Sequence, residues 1–473
     1  MRNFDLLFQG AVGDLMEDIL QKAVDRMLSE KAEFCDARFQ TLRRLQINIV
    51  DGGVRSLTED NTSGVCLRAR NHGSWGYAST TSLEQGAVLE AASKAASIAR
   101  LGKAKGKRIP ELKAVRGHFR AEVKINPSSV PLHEKLSLAK DLCEAQKVDN
   151  RIVNTNSTYI ESYKSSMLLN SFSTCLRWEE MRGRLSCLSV ASESARTEVY
   201  YDMHDGSGGF EMFKPLDINE MGALCGREAV KMLSARKCPS GEMTCISDPM
   251  ISGLLAHEVM GHASEADEVV KGRSFLSGVV GREVASDLVT MVDDGTVPGA
   301  YGSIPFDDEG TKSSRTTIIE KGVYKGYIHS LETAADLGVA ESGNGRAQDP
   351  HHRIFVRMTN TFFEEGDWSL EEMLEGVKLG VLTDKAISGM EDPVGGGFEA
   401  KALRGFLIEN GEIKHMLKGF TLTGKALEIL KTTDAVSKEV RLDGGTCGKG
   451  VEDYVPVSSG GPYCRSRLIL GGG

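Results

Sequence analysis

The sequence has no apolar run close to the ~20 residues that a helix needs to cross a bilayer. Its opening stretch, MRNFDLLFQGAVGDLMEDIL, carries acidic residues where a secretory signal has a basic region followed by an apolar core. Acidic residues outnumber basic ones, 66 to 57, and the formal net charge is −9. We therefore expect a cytoplasmic protein that binds no membrane and has no general affinity for nucleic acid.

Cysteine pairs with the spacing of a zinc ribbon or a redox motif are also absent. The ten cysteines are scattered along the chain without a C-x-x-C pattern. In a reducing cytoplasm most of them are expected to be buried thiols that pack as small apolar side chains. A metal-binding or reactive role for any one cysteine therefore needs support from its local context.

The chain is long for a single hydrophobic core. At 473 residues, with 40% apolar and 26% charged residues, it has the composition of a soluble globular protein and the length of two domains. The segment Cys238–Gly241 separates a half with helix and strand patterns from a half rich in glycine turns. We predict one domain at residues 1–240 and a second at 241–473.

Apolar periodicity predicts helices near residues 14–31, 81–102, 131–148 and 217–235. The second of these is predicted to be capped by Thr81 or Ser82. Alternating patterns between the helices predict antiparallel strands, and polar glycine-containing tetrads, such as EKGV at 320–323 and ENGE at 409–412, predict hairpin turns. The predicted fold class is α+β, with an N-terminal antiparallel sheet and helices followed by a mostly β domain that carries a metal-binding helix.

The segment HEVMGH, which begins at His257, is one residue longer than a known zinc-binding pattern. In H-E-x-x-H, two histidines four residues apart share a helix face and the glutamate is the general base. His257 and His262 are five residues apart, which separates them by roughly 140° on an ideal helix. The ordinary alternative is a surface side-chain pair, because Glu258 and His262 have i, i+4 spacing.

The residues before this segment favour a buried helix. Asp248 and Pro249 fit an N-cap followed by proline at the first helical position, and an apolar stripe comes next. A single π-type turn, with ~4.4 residues per turn, brings two residues that are five apart to the same side, and such turns frequently mark functional sites. If the segment binds a metal, the helix is therefore predicted to be irregular near Gly261.

Two histidines leave such a site incomplete, because a catalytic zinc normally has three protein ligands and a fourth position for water. Among cysteines, Cys447 is notable because the glycines of GGTCGKG allow close backbone approach, and nearby Lys449 favours the thiolate that binds metal. Spacing alone leaves the third ligand open. The other candidates are Glu265, Asp267, Glu268, His351 and His352.

Other polar clusters have simpler interpretations. Asp293-Asp294 and the run from Asp307 to Glu309 are predicted to be turns whose acidic side chains cap backbone N–H groups. Arg357 and Asn360 either line a substrate cleft or pack within a strand.

Several stretches of the second half occur together and in order: HEVMGHASEAD, VDDGT, FDDEGT, GNGR at 343–346, RMTNT at 357–361, LIENGEI, and CGK at 447–449. The tail VPVSSGGPYCRSRLILGGG adds to them, as does DGGVRSLTEDNTSGVCLRA in the first half. On these motifs the chain resembles the TldD/PmbA family of zinc metalloproteases, in its TldD-type branch that bears the metal motif.

The resemblance implies a metallopeptidase that hydrolyses extended or unfolded peptides, in peptide maturation or degradation. It implies one Zn²⁺ per active chain, bound by His257, His262 and Cys447, with Glu258 as the general base for a zinc-activated water. It also implies a dimer that encloses the active sites, formed with a second copy or with a paralogous subunit.

Two details differ from the family pattern. Ala263 and Ser264 follow the motif where a glycine and an apolar residue are expected, which alters the pocket wall but removes no ligand. Cys464, in the tail, is an alternative third ligand. The alternative function is a non-hydrolytic, metal-stabilised peptide-binding or partner subunit of a heteromeric complex. A structural zinc normally has four protein ligands, and such a subunit needs no carboxylate from Glu258 beside the ion.

Overall fold

The computed structural model describes residues 11–102, 106–450 and 454–471. It contains 24% helix and 43% strand, which confirms the predicted α+β class. No helix within these described segments is long and apolar enough to cross a membrane. The helices are α1 (Ala11–Ser29), α2 (Gln85–Leu101), α3 (Leu132–Ala145), α4 (Ile218–Met232), α5 (Pro249–Leu254), α6 (Ala266–Val270), α7 (Leu331–Leu337), α8 (Leu370–Glu375) and α9 (Ala426–Lys431), and a π-helix spans Leu255–Gly261.

The first half of the chain forms a seven-stranded sheet with the order β3-β2-β1-β5-β6-β4, and β7 also pairs with β6. All of its neighbours are antiparallel except β4 and β6. Long hairpins of strongly alternating sequence build it, as predicted. Its strands are β1 (Phe34–Val50), β2 (Gly53–Asn71), β3 (Ser74–Thr80), β4 (Arg116–Phe119), β5 (Ile152–Asn170), β6 (Cys175–Glu193) and β7 (Arg196–Ser207).

The two faces of this sheet differ in chemistry. Alternate residues of a strand point to opposite faces. Odd-numbered β1 residues, such as Phe39 and Ile47, pack under the four helices: Phe39 in the core with α1 and α2, Ile47 in the core with α3 and α4. Even-numbered residues, such as Asp36 and Arg38, are equally buried, but they face the second half of the chain.

The second half forms two six-stranded sheets and a short hairpin. One sheet has the order β11-β10-β9-β14-β20-β19, and the other has the order β17-β16-β15-β8-β21-β18. An extra pairing of β17 with β21 closes five strands of the second sheet into a ring. The strands are β8 (Gly241–Ser247), β9 (Met291–Asp294), β10 (Arg315–Glu320), β11 (Val323–Tyr324), β12 (Gly345–Arg346), β13 (Phe355–Val356), β14 (Asn360–Phe363), β15 (Leu379–Asp392), β16 (Gly397–Glu409), β17 (Glu412–Lys425), β18 (Ala435–Val436), β19 (Arg441–Cys447), β20 (Val455–Gly461) and β21 (Cys464–Gly471).

The helix α5 and the π-helix lie between these two sheets, in contact with β14 and β20 on one side and with β15 on the other. The largest apolar core of the structure surrounds them. The division into domains at residue 240 stays a prediction, although β8 begins at Gly241 and no strand of the first sheet extends beyond Ser207.

Two hairpin turns lie where the sequence predicted them. The predicted hairpin turns Lys321–Gly322 and Asn410–Gly411 have positive φ at both central residues, as type I′ turns require. The predicted cap of α2 was wrong. The Ser82 hydroxyl accepts from the Glu84 backbone N–H and closes the preceding turn, so the helix begins only at Gln85.

The acidic run from Asp307 to Glu309 is a turn, as predicted, and it is fully buried against the charged face of the first sheet. Asp308 pairs with Arg38 at 3.1 Å, and Glu309 pairs with Arg68 at 2.8 Å. Asp293 differs from its prediction, because it lies within β9 and not in a turn. Its carboxylate accepts from the backbone and hydroxyl of Thr359 and from the Thr361 hydroxyl, which join the neighbouring β14 segment to β9.

Replacing Arg68 tests this buried charged interface. Arg68 is 2% exposed and forms ion pairs with Asp36 and Glu309, so Arg68→Met leaves two carboxylates buried without their cation. We expect the free energy of unfolding to fall by about 3–5 kcal/mol, as measured by urea denaturation.

Lys22→Met is the matched control, because Lys22 pairs with Asp18 on the surface, where ion pairs contribute little. Its unfolding midpoint should stay at the wild-type value. Equal midpoints for the Arg68 and Lys22 variants would show that the first sheet does not depend on these buried ion pairs.

Candidate metal centre

The helix that carries the two histidines begins at a well-formed cap. Asp248 accepts a hydrogen bond from the Met250 backbone N–H at 3.2 Å, and Pro249 occupies the first turn, which confirms the predicted start. α5 then continues into the π-helix, where the His262 backbone N–H donates to the carbonyl of His257, five residues earlier. This bond defines a π-type turn, so the predicted irregularity is present.

The wide turn brings both imidazoles to one side of the helix. The ring centroids of His257 and His262 are 5.3 Å apart, and the two residues are 4% and 9% exposed. Ile251, Leu255 and Val259 belong to the apolar core between the sheets. The apolar stripe thus fixes the helix in the core, and the π-type turn decides where its histidines point.

Gly261 allows a close packing contact at this turn. A Cβ atom on Gly261 would lie 2.2 Å from the Met358 sulfur and 3.1 Å from the Ala256 carbonyl oxygen. Met358 is fully buried. The segment before β14 therefore lies directly against the helix backbone, at the residue that precedes His262.

A double-mutant cycle tests this contact. Gly261→Ala should lower the free energy of unfolding by about 1–3 kcal/mol, because it overpacks a filled core. In a Met358→Ala background the same substitution should cost less, since the obstructing side chain is gone. Urea denaturation of the four proteins measures the coupling. Strictly additive costs would show that the two residues do not obstruct each other.

Cys447 reaches the histidines from a different element. It is the last residue of β19, which pairs with β20, and its sulfur lies 3.3 Å from Nε2 of His262. One donor atom each from His257, His262 and Cys447 lies within 4.8 Å of the other two. Within the described segments, no other group of three histidine, cysteine or acidic side chains is arranged in this way.

The other candidate ligands lie elsewhere. Cys464 is paired opposite Ser247 in the second six-stranded sheet, and burial raises the pKa of its thiol to about 12. His351 and His352 contact the Ser79 hydroxyl and the Asp349 carboxylate in a separate groove. The three acidic candidates have other partners. Glu265 pairs with Lys449 and with Nδ1 of His262, the ring nitrogen that faces away from the cluster. Asp267 pairs with Lys449, and Glu268 pairs with Arg273.

The donor set fits a metal ion. Two imidazoles and one thiolate are ligands that zinc and related ions accept. Burial alone would raise the pKa of the Cys447 thiol, but His257 and His262 outweigh burial and hold that pKa well below its ordinary value. The Nδ1 atom of His257 is buried and has no hydrogen-bond partner among the described residues, and a bound ion gives such a histidine the partner that its surroundings lack.

Glu258 stands beside this cluster and is not part of it. Its carboxylate is 3.9 Å from Nε2 of His262, and about a fifth of its side chain is exposed. A Cβ atom on Gly389, in β15, would lie 2.8 Å from Glu258 Cγ. The strand therefore passes close to the glutamate and limits where its carboxylate can go.

The cluster lines a cleft of about 420 Å³. One wall is residues 386–389 of β15, and the other is residues 443–447 of β19. β19 is the last strand of its sheet, and β15 pairs with β8 only through Gly380–Leu382. Within the described residues, no other strand pairs with these edges, although two side chains of β7 contact Ala386 and Gly444.

Three further residues named in the sequence analysis lie behind the cluster. Lys449 does not face the Cys447 thiol; its Nζ lies 2.9 Å from Glu265 and 2.6 Å from Asp267. Arg357 does not line the cleft, because it is fully buried and its Nη2 donates to the Cys447 carbonyl at 2.9 Å. Asn360 follows the second of its two predicted alternatives, because it is buried within β14 and donates to the Asp294 carbonyl.

Comparison with known sequences shows which family the chain belongs to. Profiles of the PmbA/TldA metallopeptidase family match the chain in three parts: domain 1 over residues 35–99, the central domain over 125–237 and the C-terminal domain over 240–469. The first two parts contribute strands to the same seven-stranded sheet. The chain belongs to the PmbA/TldD family, as its motifs predicted.

Two archaeal relatives are similar over nearly their whole length. A metalloprotease of Methanothermobacter thermautotrophicus is 35% identical, covering 94% of this chain and 97% of the relative, and one of Methanocaldococcus jannaschii is 33% identical, covering 93% and 97%. A more distant relative from Saccharolobus solfataricus, named a zinc metalloprotease TldD homolog, is 25% identical over 93% and 97%.

Solved structures share the fold. TldE from Thermococcus kodakarensis superposes with a TM-score of 0.75 at 20% identity, covering 96% of this chain and 99% of that protein. A Thermotoga maritima protein superposes with a TM-score of 0.76 at 22% identity, covering 96% and 100%. At these identities the likeness concerns the architecture alone.

Proposed function

We propose that this protein is a zinc-dependent metallopeptidase that hydrolyses extended or unfolded peptides, with His257, His262 and Cys447 as zinc ligands and Glu258 as the general base. The observation that carries the proposal is the convergence of three buried donor atoms within 4.8 Å, beside a carboxylate that lines an open cleft. The names of the relatives, metalloprotease and in one case zinc metalloprotease, support the same class.

Three protein ligands suit a catalytic rather than a structural zinc, because they leave a coordination position open. When bound, zinc supplies Lewis-acid chemistry that polarises the attacked carbonyl and makes water a stronger nucleophile. Glu258 takes the proton from that water and returns it to the leaving amine. Its partial exposure in the cleft, close to Nε2 of His262, suits this role.

The strand edges on both walls support an extended substrate. A peptide backbone can add to an uncovered strand edge through main-chain hydrogen bonds, which require little of its side chains. Both walls contain glycines, which project no side chain into the cleft; they are Gly389 in β15 and Gly444 and Gly445 in β19. A folded protein has its backbone groups paired internally, so the cleft favours extended or unfolded chains.

The likeness to TldE is compatible with assembly with a paralogous chain. We propose a dimer, either with such a paralogue or with a second copy of this chain.

Metal content tests the ligand assignment. Purified wild-type protein should contain about one zinc per chain by elemental analysis, and Cys447→Ala should lose most of it, because two ligands hold zinc more weakly than three. Cys464→Ala is the matched control, since Cys464 is equally buried but lies outside the cluster. Retention of zinc in the Cys447 variant, or its loss in the Cys464 variant, would contradict the assignment.

Hydrolysis tests the role of Glu258. Glu258→Gln should reduce the release of new amino termini from a mixture of unstructured peptides by about 10²–10⁴-fold, because the general base is lost. Zinc content should stay unchanged.

Glu268→Gln serves as the control, because Glu268 pairs with Lys271 and Arg273 outside the cleft. Loss of zinc from the Glu258 variant would make Glu258 a ligand. A zinc-loaded wild type that releases no amino termini would favour the alternative, a non-hydrolytic peptide-binding or partner subunit.

A further inference from the structure

A buried carboxylate connects the π-helix with the segment from Cys447, the last residue of β19, to Lys449, which we call the Cys447 loop. Glu265 is 1% exposed, and its Oε2 lies 3.3 Å from Nδ1 of His262. The other ring nitrogen of His262, Nε2, faces the Cys447 sulfur at 3.3 Å. A carboxylate beside Nδ1 holds a proton on that nitrogen, so Nε2 is the ring nitrogen that can give its lone pair to a bound ion.

Two cations fix Glu265 from the opposite side. Lys449 Nζ lies 2.9 Å from its Oε2, and Arg357 Nε lies 3.5 Å from its Oε1. Burial alone would raise the pKa of the Glu265 carboxyl, but the charges of Lys449, His262 and Arg357 hold it below its ordinary value.

The same two cations also hold the segment of Cys447. Lys449 follows Cys447 by two residues, and Arg357 Nη2 donates to the Cys447 carbonyl at 2.9 Å. The backbone at Glu265 is anchored as well, because the Ala266 N–H donates to the Ile328 carbonyl at 3.1 Å. The carboxylate therefore sits in a rigid position between His262 and the Cys447 loop.

We propose that Glu265 is a positioning residue for the metal site. It orients His262 through Nδ1 and, through Lys449 and Arg357, sets the position of Cys447 relative to that ring. This inference rests on the proposed metal site, and it gives Glu265 a different role from the candidate ligand that the sequence offered. Partners that hydrogen-bond to a ligating histidine normally raise metal affinity by about 10- to 100-fold.

Glu265→Asp separates this role from simple charge balance. The shorter side chain keeps a carboxylate near Lys449 and Arg357, but it withdraws that group by about 1.5 Å from His262. We expect zinc affinity, measured by competition with a chromophoric chelator, to fall about 10- to 100-fold. In the cobalt-substituted protein the sulfur-to-metal and ligand-field absorption bands should shift, because the geometry at His262 and Cys447 relaxes.

Two further variants complete the test. Glu265→Gln removes the charge and should weaken zinc binding at least as much; if it fails to fold, Glu265→Gln combined with Lys449→Met removes the unpaired cation as well. Asp267→Asn is the matched control, because Asp267 contacts Lys449 but not His262. It should keep wild-type affinity and the wild-type cobalt spectrum.

Wild-type zinc affinity and an unchanged cobalt spectrum in Glu265→Asp would overturn the proposal and leave Glu265 with charge balance alone. A wild type that binds neither zinc nor cobalt would overturn the metal site and this inference with it. A wild type that binds zinc but hydrolyses no peptide would overturn only the proposed reaction, and the affinity comparison would still decide the role of Glu265.

Discussion

The candidate site depends on one backbone hydrogen bond, from the N–H of His262 to the carbonyl of His257. In a regular helix the two rings would diverge, and the thiol of Cys447 could approach only one of them. The five-residue bond makes the turn wide enough for both rings to face that thiol. An isolated π-type turn is unfavourable; here the apolar stripe of the helix is buried between two sheets, and Gly261 lets Met358 pack against the turn.

The first half of the chain contributes no donor atom to the cluster, yet it shapes the cleft. β7 touches both walls: the Tyr201 hydroxyl donates to the Ala386 carbonyl of β15, and Asp205 accepts from the Gly444 N–H of β19 at 3.0 Å. Met203, between them, lines the cleft. The spacing between the two walls is thus set by a strand of the first sheet. Buried ion pairs join the charged face of that sheet to the second half of the chain. They therefore also affect the spacing between the two walls.

Features encoded by short-range patterns were predicted well. Helix periodicity, glycine turns and the Asp248–Pro249 cap depend on neighbouring residues, so the sequence contains their cause. The spacing of HEVMGH carried enough information to require an irregular helix. Lys449 was assigned to Cys447 because the two are close in sequence, whereas its charge is held by Glu265, over 180 residues away. Arg357 likewise gave no local sign that it would support the Cys447 loop.

The arrangement of the site also explains why its supporting residues are charged. A neutral hydrogen-bond partner could orient His262 from one side only, because it would not attract the segment that carries Cys447. A carboxylate attracts both the ring N–H and the cations near the thiol, so a single buried group couples two candidate ligands from distant parts of the chain. Burying that charge is costly unless it is paired, and here Oε2 contacts both His262 and Lys449, while Oε1 has a longer ion pair with Arg357 at 3.5 Å. The buried carboxylate is stable only when its charge is paired, and it is paired only when the π-helix and the Cys447 loop lie together as observed. The need to pair this charge therefore favours the arrangement that brings His262 and Cys447 together.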